Sequence, residues 1–568
     1  MRKKMKIENS ADITKAKENA QQLMFPDTPR INVGMSTCCI AKGADLTLEA
    51  IKYGLKEKNI NAVAVSVGCS GLCHMEPVVE VQSPGRPKII YGNVTEQEVP
   101  RLLDAVADGS VVADLAVARV DEEDHVIAGN VGYAQSPASG PYAAVKKVDE
   151  IAYLSKQHKV ILRNAGSIDP ESIDEYCAHG GYEGAAKALG MKPEEIVDEI
   201  TKSELRGRGG GGFPTGLKWK MCMEAAGKEK YLICNVSEGE PGIGMHRSFL
   251  ESDPHSVLEG LIIGAHAIGA QVAYVYIRDN YRLALKRFTK AVKDATEAGL
   301  LGKNILGSSL DFTVIVKEGG GRFVCGEETA LIAYIEGRIG EPRQRPPFPT
   351  VQGLFGKPTC INNVETWANV PIIIIKGSAW YSSLGSEKSK GTKVISLAGN
   401  IARAGMIEVD MGTPLQEVIY EIGGGIAGGK DLKGIQTGGP SGGVLPKDLD
   451  SLAVDYDLLS NAGSLLGSGG MVIADEDTDM VKLARYFTDF FVQESCGKCV
   501  PCREGVCRMC AILDEIIAGR GTQEHLALLQ DMADSISKAS ACALGKTAPV
   551  PIISTIKHFK DDYMKYIT

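Results

Sequence analysis

Three kinds of residue in this chain are spaced to do chemistry: clustered cysteines, a run of glycines, and acidic turns. Of fifteen cysteines, ten fall in two groups, at residues 38–73 and 496–542. In the second group Cys496, Cys499 and Cys502 stand at C-x2-C-x2-C, and Cys542 follows much later. Three close thiolates wrapping one corner of a cube, with a fourth from elsewhere, is iron–sulfur spacing. A tetrahedral zinc site more often pairs two separated C-x2-C turns, so the cluster ranks ahead of zinc, and a disulfide last. Cys507 and Cys510 read as packing residues ahead of a second metal half-site. The isolated Cys177, Cys222, Cys234, Cys325 and Cys360 read as small buried residues.

The glycines lie in Arg206-Gly207-Arg208-Gly209-Gly210-Gly211-Gly212-Phe213-Pro214. Without Cβ atoms, such a loop can run close to a ligand and turn several N–H groups toward it. A helix pattern begins at Leu217, and Lys218 adds a full positive charge, so the site suits a phosphate. Gly207, Gly209 and Gly212 match the dinucleotide fingerprint literally. A helix pattern rather than a strand precedes them, which rules out an ordinary Rossmann unit. The P-loop fails too, because no Gly-Lys-Ser/Thr follows. A flexible surface loop is the remaining alternative, and the Arg, Phe and Pro among the glycines argue against it.

Two strand patterns end in acidic, glycine-bearing turns: Ser237-Glu238-Gly239-Glu240 and Gly326-Glu327-Glu328. Strand ends of open α/β sheets are where ligands bind. The carboxylates can act as acids or bases, accept hydrogen bonds from a nucleotide, or simply be solvated. Spacing does not separate these options. Arg343, Arg345 and Phe348 supply cations and an aromatic for an adenine or a pyrophosphate.

These residues must be positioned by several domains, since 568 residues exceed one ordinary core. The balance of 44% hydrophobic and 23% charged residues is that of a globular protein. A net charge of −9 without a basic block argues against nucleic acid. The longest apolar run, Val370 to Ile375, is too short to span a membrane. The basic start (Arg2, Lys3, Lys4, Lys6) lacks an apolar core and is no secretory signal. Clustered cysteines without such a signal indicate a reducing, cytoplasmic setting. The expected multidomain α/β organisation is a polar arm at 1–29, a small α/β module at 30–110, and a linker at 111–158 with a turn-rich stretch at 135–141. A large α/β domain at 159–385, a small β-rich domain at 386–475 and a helical cysteine-bearing domain at 476–568 follow.

Arg206–Trp219, Cys234–Gly242, Gly321–Leu331, Pro346–Phe348, Gly356–Thr366, Glu494–Gly505 and Cys542–Pro549 together resemble one family. It is the NADH-binding flavin subunit of respiratory complex I, with soluble relatives in NAD-linked hydrogenases and formate dehydrogenases. The resemblance runs from about Leu162 to the C-terminus. It implies an FMN/NADH-binding α/β domain, a ubiquitin-like β-grasp insertion and a helical iron–sulfur domain. Residues 30–108 resemble the family's thioredoxin-like [2Fe–2S] module. By this resemblance the Gly207–Gly212 loop with Arg208, Gly209 and Gly210, together with Lys218, Asn235, Asn362 and Asn363, holds FMN. Phe213, Glu240, Glu327, Glu328 and Phe348 face NADH; Ser237, Glu238, Phe323 and Gly326 are further candidate cofactor-binding residues, and Glu240 is the candidate catalytic residue. Cys496, Cys499, Cys502 and Cys542 bind a [4Fe–4S] cluster.

The chain departs from the family pattern at Ser237, where Asp is frequent, and at His246, Met221 and Phe323. It also has no cysteine after Cys542, so the two-cluster ferredoxin domain of many hydrogenase-linked members is missing. In the N-terminal module Cys69 and Cys73 supply two ligands of a [2Fe–2S] cluster. The family's first cysteine lies where Gly34 stands, and this chain has Cys38 beside Cys39 instead. Either both ligate, or the module is an empty docking domain.

NADH gives up two electrons as a hydride, whereas iron–sulfur clusters take one at a time, and a flavin can do both. The expected function is therefore NADH oxidation through FMN and a [4Fe–4S] cluster. The expected partners are a thioredoxin-like [2Fe–2S] subunit and a hydrogenase- or formate-dehydrogenase-type subunit. Ferredoxin enters if the chain bifurcates electrons. A scaffold that has lost its nucleotide is the rival from another class. The carboxylates favour NADH over NADPH.

Overall fold

The structure is a computed structural model that describes residues 6–133, 140–320 and 322–567. The N-terminal basic residues Arg2, Lys3 and Lys4, most of the 135–141 turn stretch and Gly321 lie outside these residues. Among the described residues there are four sheets and a helical end. The expected polar arm is a helix, Ser10–Met24, capped by Asn9. Its Ile13, Ala16, Ala20 and Met24 lie on one face and are buried in the largest core. Each fully buried large side chain of this kind contributes about 1.5–3 kcal/mol, so the arm is part of the domain it packs on.

The N-terminal module is a five-stranded sheet in the order β2-β1-β3-β4-β5. Its strands are β1 (Arg30–Gly34), β2 (Val63–Val67), β3 (Val79–Gln82), β4 (Lys88–Tyr91) and β5 (Ala116–Val120). β1 and β2 run parallel, because helix Ala44–Glu57 crosses between them; the other pairs are antiparallel. β5 corrects the expected linker, as does the hairpin β6 (Glu122–His125) and β7 (Gly129–Gly132). In β6 Glu123 is held by Lys88 at 3.0 Å and accepts from Tyr133, which lets acidic residues of the expected linker form strand.

The large domain holds a fully parallel sheet, β8 (Tyr231–Val236), β9 (Val272–Arg278), β10 (Thr313–Gly319) and β11 (Thr359–Asn363), in the order β10-β9-β8-β11. Helices Pro254–Ile268 and Val364–Lys376 cover it, and the latter carries Pro371 inside. A mixed sheet follows, β12 (Thr392–Gly399), β13 (Gly405–Asp410), β14 (Leu432–Thr437), β15 (Val444–Pro446) and β16 (Gly470–Asp475), in the order β13-β12-β16-β14-β15. The end of the chain is helical: Met480–Glu494, Val500–Glu515, Gln523–Ala539 and Val550–His558. Its core also takes Val324, Cys325 and Leu331 from the large domain. No helix among the described residues is long and apolar enough to cross a membrane.

Candidate flavin, nucleotide and iron–sulfur sites

The order of the parallel sheet fixes where a ligand can sit. From β8 the chain builds outward through β9 and β10, then returns to add β11 on the other side of β8. The switch point therefore lies at the carboxyl ends of β8 and β11, where a crevice opens. Asn235 and Asn363 are paired there, as are Cys234 and Asn362. The glycine loop arrives at this point, between helices Pro193–Lys202 and Thr215–Glu224. A Cβ on Gly209 would lie 3.1 Å from Asn363. Gly210 and Gly212 have φ of +113° and +57°, which only glycine adopts readily. Gly211 has open space where its Cβ would point. Gly207 receives no such demand beyond its N–H bond to Phe213.

Arg208 is corrected. Its guanidinium is fully buried and donates to the carbonyls of Arg206, Lys390 and Thr392 and to the Tyr381 hydroxyl. It ties the loop to the start of β12 rather than facing the crevice. Asn362 is likewise engaged inward, accepting from the Trp219 indole at 3.0 Å. Asn363 caps helix Val364–Lys376 and lies 2.9 Å from His246, so its side chain is at the crevice but partly used. Asn235 donates to the Gly326 carbonyl at 3.0 Å and accepts from Ser237 N–H. Ser237 and Gly326 touch, since a Cβ on Gly326 would meet Ser237 Oγ at 2.5 Å.

Lys218 extends over this crevice. Its Nζ donates to Glu328 at 2.7 Å and to the Ile361 carbonyl at 3.0 Å, and lies 5.9 Å from the Phe213 ring. Glu328 also meets Arg345, which stands 6.0 Å from the Phe348 ring. Phe213, Met221 and Phe348 are all exposed apolar side chains, which a stacked ring system would cover. Glu327 is a helix cap, accepting from the N–H groups of Thr329 and Ala330. Phe323 packs edge-on against Phe490 of the helical end.

Glu238 and Glu240 sit deeper. Burial, then the charge of Glu240, pushes Glu238 well above the carboxylate range, and burial raises Glu240. Glu238 Oε2 accepts from His246 N–H, while its Oε1 is buried without a hydrogen-bond partner among the described residues. Burial lowers His246 to about 3, so it is neutral. The sequence reading missed Arg278 at the end of β9. Two of its nitrogens, Nε and Nη1, are buried without hydrogen-bond partners among the described residues, and its guanidinium lies against Gly239. Its place at a strand end was the available signal. Arg278 pairs with Glu494 at 3.9 Å, and its two free nitrogens with the free Glu238 oxygen leave hydrogen-bonding capacity that fits a nucleotide.

The C-terminal thiols gather at helix ends. Cys499 and Cys542 are the N-cap residues of Val500–Glu515 and Ala543–Thr547. Cys502 is pushed up to about 11 by burial, with a hydrogen bond to Ser495 opposing the rise and the charges of Cys499, Cys542 and Cys496 adding to it. Thiols at this spacing, with Ser495 Oγ 3.3 Å from Cys502 Sγ, suit a cluster. Cys510 packs in the helical core and Cys507 is exposed. In the N-terminal module Cys38 and Cys39 lie 3.8 Å apart at sulfur, as do Cys69 and Cys73. The Thr37–Ile40 segment is a helical turn, so adjacent cysteines diverge far less than on a strand, and both reach the site. Glu76 joins them, and burial raises it to about 7.

Residues 200–372 match the Nuo51 FMN-binding domain, 394–445 the SLBB domain, and 482–566 the NADH-ubiquinone oxidoreductase-F iron–sulfur binding region. An NADH-quinone oxidoreductase subunit of Rhizobium meliloti is 45% identical over 409 residues, covering 72% of this chain and 97% of the relative. The chain belongs to the FMN-binding, iron–sulfur-carrying family of NADH-quinone oxidoreductase subunits. The NADP-reducing hydrogenase subunit HndC of Solidesulfovibrio fructosivorans is 53% identical over 413 residues, covering 72% of this chain and 84% of that one. A crystal structure of an NAD+-reducing [NiFe]-hydrogenase in the H2-reduced state aligns with a TM-score of 0.65 at 26% identity. It covers 98% of this chain and 87% of the other. As a member of the family, the chain is an NADH-oxidising subunit whose cofactors are FMN, NAD(H) and a [4Fe–4S] cluster.

Proposed function

We propose that this chain is the NADH-oxidising subunit of a hydrogenase-type complex, passing electrons from NADH to partner subunits. The observation that carries the site assignment is the glycine loop docked on the β8/β11 switch point. In this reading Gly207, Gly209, Gly210, Gly211 and Gly212 cradle the FMN phosphate, and Lys218, Asn235 and Asn363 hold the ring system. Glu240, Ser237 and Glu238 position the nicotinamide beside it, and Phe213, Phe323, Gly326, Glu327, Glu328 and Phe348 frame the nucleotide. FMN when bound supplies the conversion of a two-electron donor into one-electron transfers. The protein's part is alignment, since the hydride step needs no protein acid. Cys496, Cys499, Cys502 and Cys542 hold the [4Fe–4S] cluster, and Cys38, Cys39, Cys69 and Cys73 a [2Fe–2S] cluster.

The expected organisation carries over as a thioredoxin-like module, an FMN/NADH domain, a β-grasp insertion and a helical cluster domain, now with β5 joined to the first. The hydrogenase-type partner rests on the two hydrogenase relatives. A formate-dehydrogenase-type partner and ferredoxin have no observation in their favour. Cysteine usage supports a cytoplasmic setting. Anaerobic addition of NADH to the purified chain should bleach the flavin absorbance. A chain carrying FMN whose absorbance is unmoved by NADH or NADPH would overturn the reading.

A further inference from the structure

Five potential iron donors, not four, converge in the N-terminal module. Cys38, Cys69 and Cys73 have their sulfurs mutually within 4.8 Å, and so do the donor atoms of Cys39, Cys69 and Glu76. Glu76 is only 6% exposed. Its Oε1 lies 3.0 Å from Cys39 Sγ and 3.4 Å from Cys69 Sγ, while its Oε2 accepts from Val78 N–H. The space it fills is defined by a glycine. A Cβ on Gly34 would point at 3.4 Å to Cys39 Sγ and at 3.6 Å to both Glu76 carboxylate oxygens. A side chain on residue 34 and the Glu76 carboxylate would therefore occupy the same corner of the site.

We infer that Glu76 is an iron ligand of the N-terminal cluster, its carboxylate supplying the donor that Gly34 leaves out. This rests on the reading that the N-terminal thiols hold a [2Fe–2S] cluster, and it replaces one of Cys38 and Cys39 in that ligand set. Thiols give up their protons when they bind iron. Cys39 and Cys69 then no longer donate to Glu76, and a buried carboxylate facing two thiolates needs a cation. Iron is the cation at that point. Two-iron clusters accept ligands other than thiolate, as those with two histidine ligands do. With Glu76 bound, Cys38 and Cys39, adjacent on one helical turn, offer two thiols for one remaining place, and one of them is dispensable.

The test uses the full chain, reduced anaerobically, and reads iron content and the electron paramagnetic resonance signal that persists at liquid-nitrogen temperature. Glu76→Ala should lose that signal while FMN content and the C-terminal cluster signal remain. Glu76→Gln keeps the volume and the acceptor for Val78, and should lose it or shift its g values. Gly34→Cys combined with Glu76→Ala should restore a signal, because a Cβ at residue 34 makes only ordinary contacts. At least one of Cys38→Ser and Cys39→Ser should keep it. A wild-type signal in both Glu76 variants overturns the ligand assignment and leaves the cluster reading standing. A wild-type chain with no such signal after iron–sulfur reconstitution overturns both.

Discussion

The two sets of thiols are built on opposite plans. The N-terminal set comes from two short helical turns and the loop before the second, each sulfur within reach of another, with a carboxylate among them. The C-terminal set comes from helix starts, where burial raises Cys542 but the N–H groups of Gly545 and Leu544 pull it back down. Helix N-termini favour anions, so that site is prepared for thiolates by its own backbone. It also stands on a large core, with Phe491, Met509 and Ile552 buried beneath it. One site is thus preorganised by secondary structure, the other by side chains crowding one corner. Tolerance to ligand change should differ accordingly, because the crowded site offers five donors for four places.

The largest effect that would sharpen this contrast is at Cys499. Cys499→Ser should abolish electron delivery to one-electron acceptors and leave flavin bleaching by NADH intact. A thermal melt must first show the variant folded, since losing a cluster can unfold its domain. Normal delivery from a folded variant would put the C-terminal cluster off the path. Next is the glycine loop, which should fail without touching either set of thiols. Gly211→Val places a side chain in open space at a backbone conformation that tolerates one. Losing one or two hydrogen bonds to a charged phosphate costs about 3 kcal/mol, or roughly 100-fold in FMN affinity. Gly210 is a poorer probe because its φ of +113° would strain any side chain. Full FMN content in Gly211→Val would remove the loop from the phosphate site.

The spacing of Cys496, Cys499 and Cys502 was legible because metal ligation within one turn is a local property. So was the glycine loop, because its backbone demands are local. Arg208 was misread for the reason that makes loops hard: sequence gives proximity to the glycines but not the direction of the side chain. Glu76 and Arg278 were missed because each acquires its role from residues far along the chain, Gly34 and Cys39 for one, Gly239 for the other. β5 was hidden by the acidic residues after it, which Lys88, Arg119 and Lys147 pair with only once the chain is folded.

A smaller effect lies in nucleotide choice, and it should again spare both sets of thiols. Glu328 holds both Lys218 and Arg345. Glu328→Gln frees Arg345 for a 2′-phosphate and removes a repelling charge. NADPH should gain on NADH by roughly 10-fold in kcat/KM, the size of one partly exposed charge interaction. An unchanged ratio would place the discriminating residue elsewhere.

The smallest effect concerns acid, and it falls on the N-terminal side of the comparison. His125, from β6, and His179, from the large domain, stack edge-on at 4.6 Å and share Asn164 Oδ1 as partner. Burial lowers His125 to about 4 and His179 to about 3. Both are neutral bases in the folded chain, and in the unfolded chain they take protons near pH 6.5. Between the two ranges the unfolded state binds more protons, so stability rises with pH there. The contribution is complete above about pH 6.5 and is lost as pH falls toward the folded values. Where two domains meet at such a pair, the loss should appear as a melting temperature a few degrees lower at about pH 5 than at about pH 7. Replacing both histidines with Gln should flatten that slope, because Gln keeps a donor for Asn164 and has nothing to titrate. If the double variant keeps the full acid sensitivity, the junction is not its source, and the buried His246 and His255 of the large domain become the groups to test.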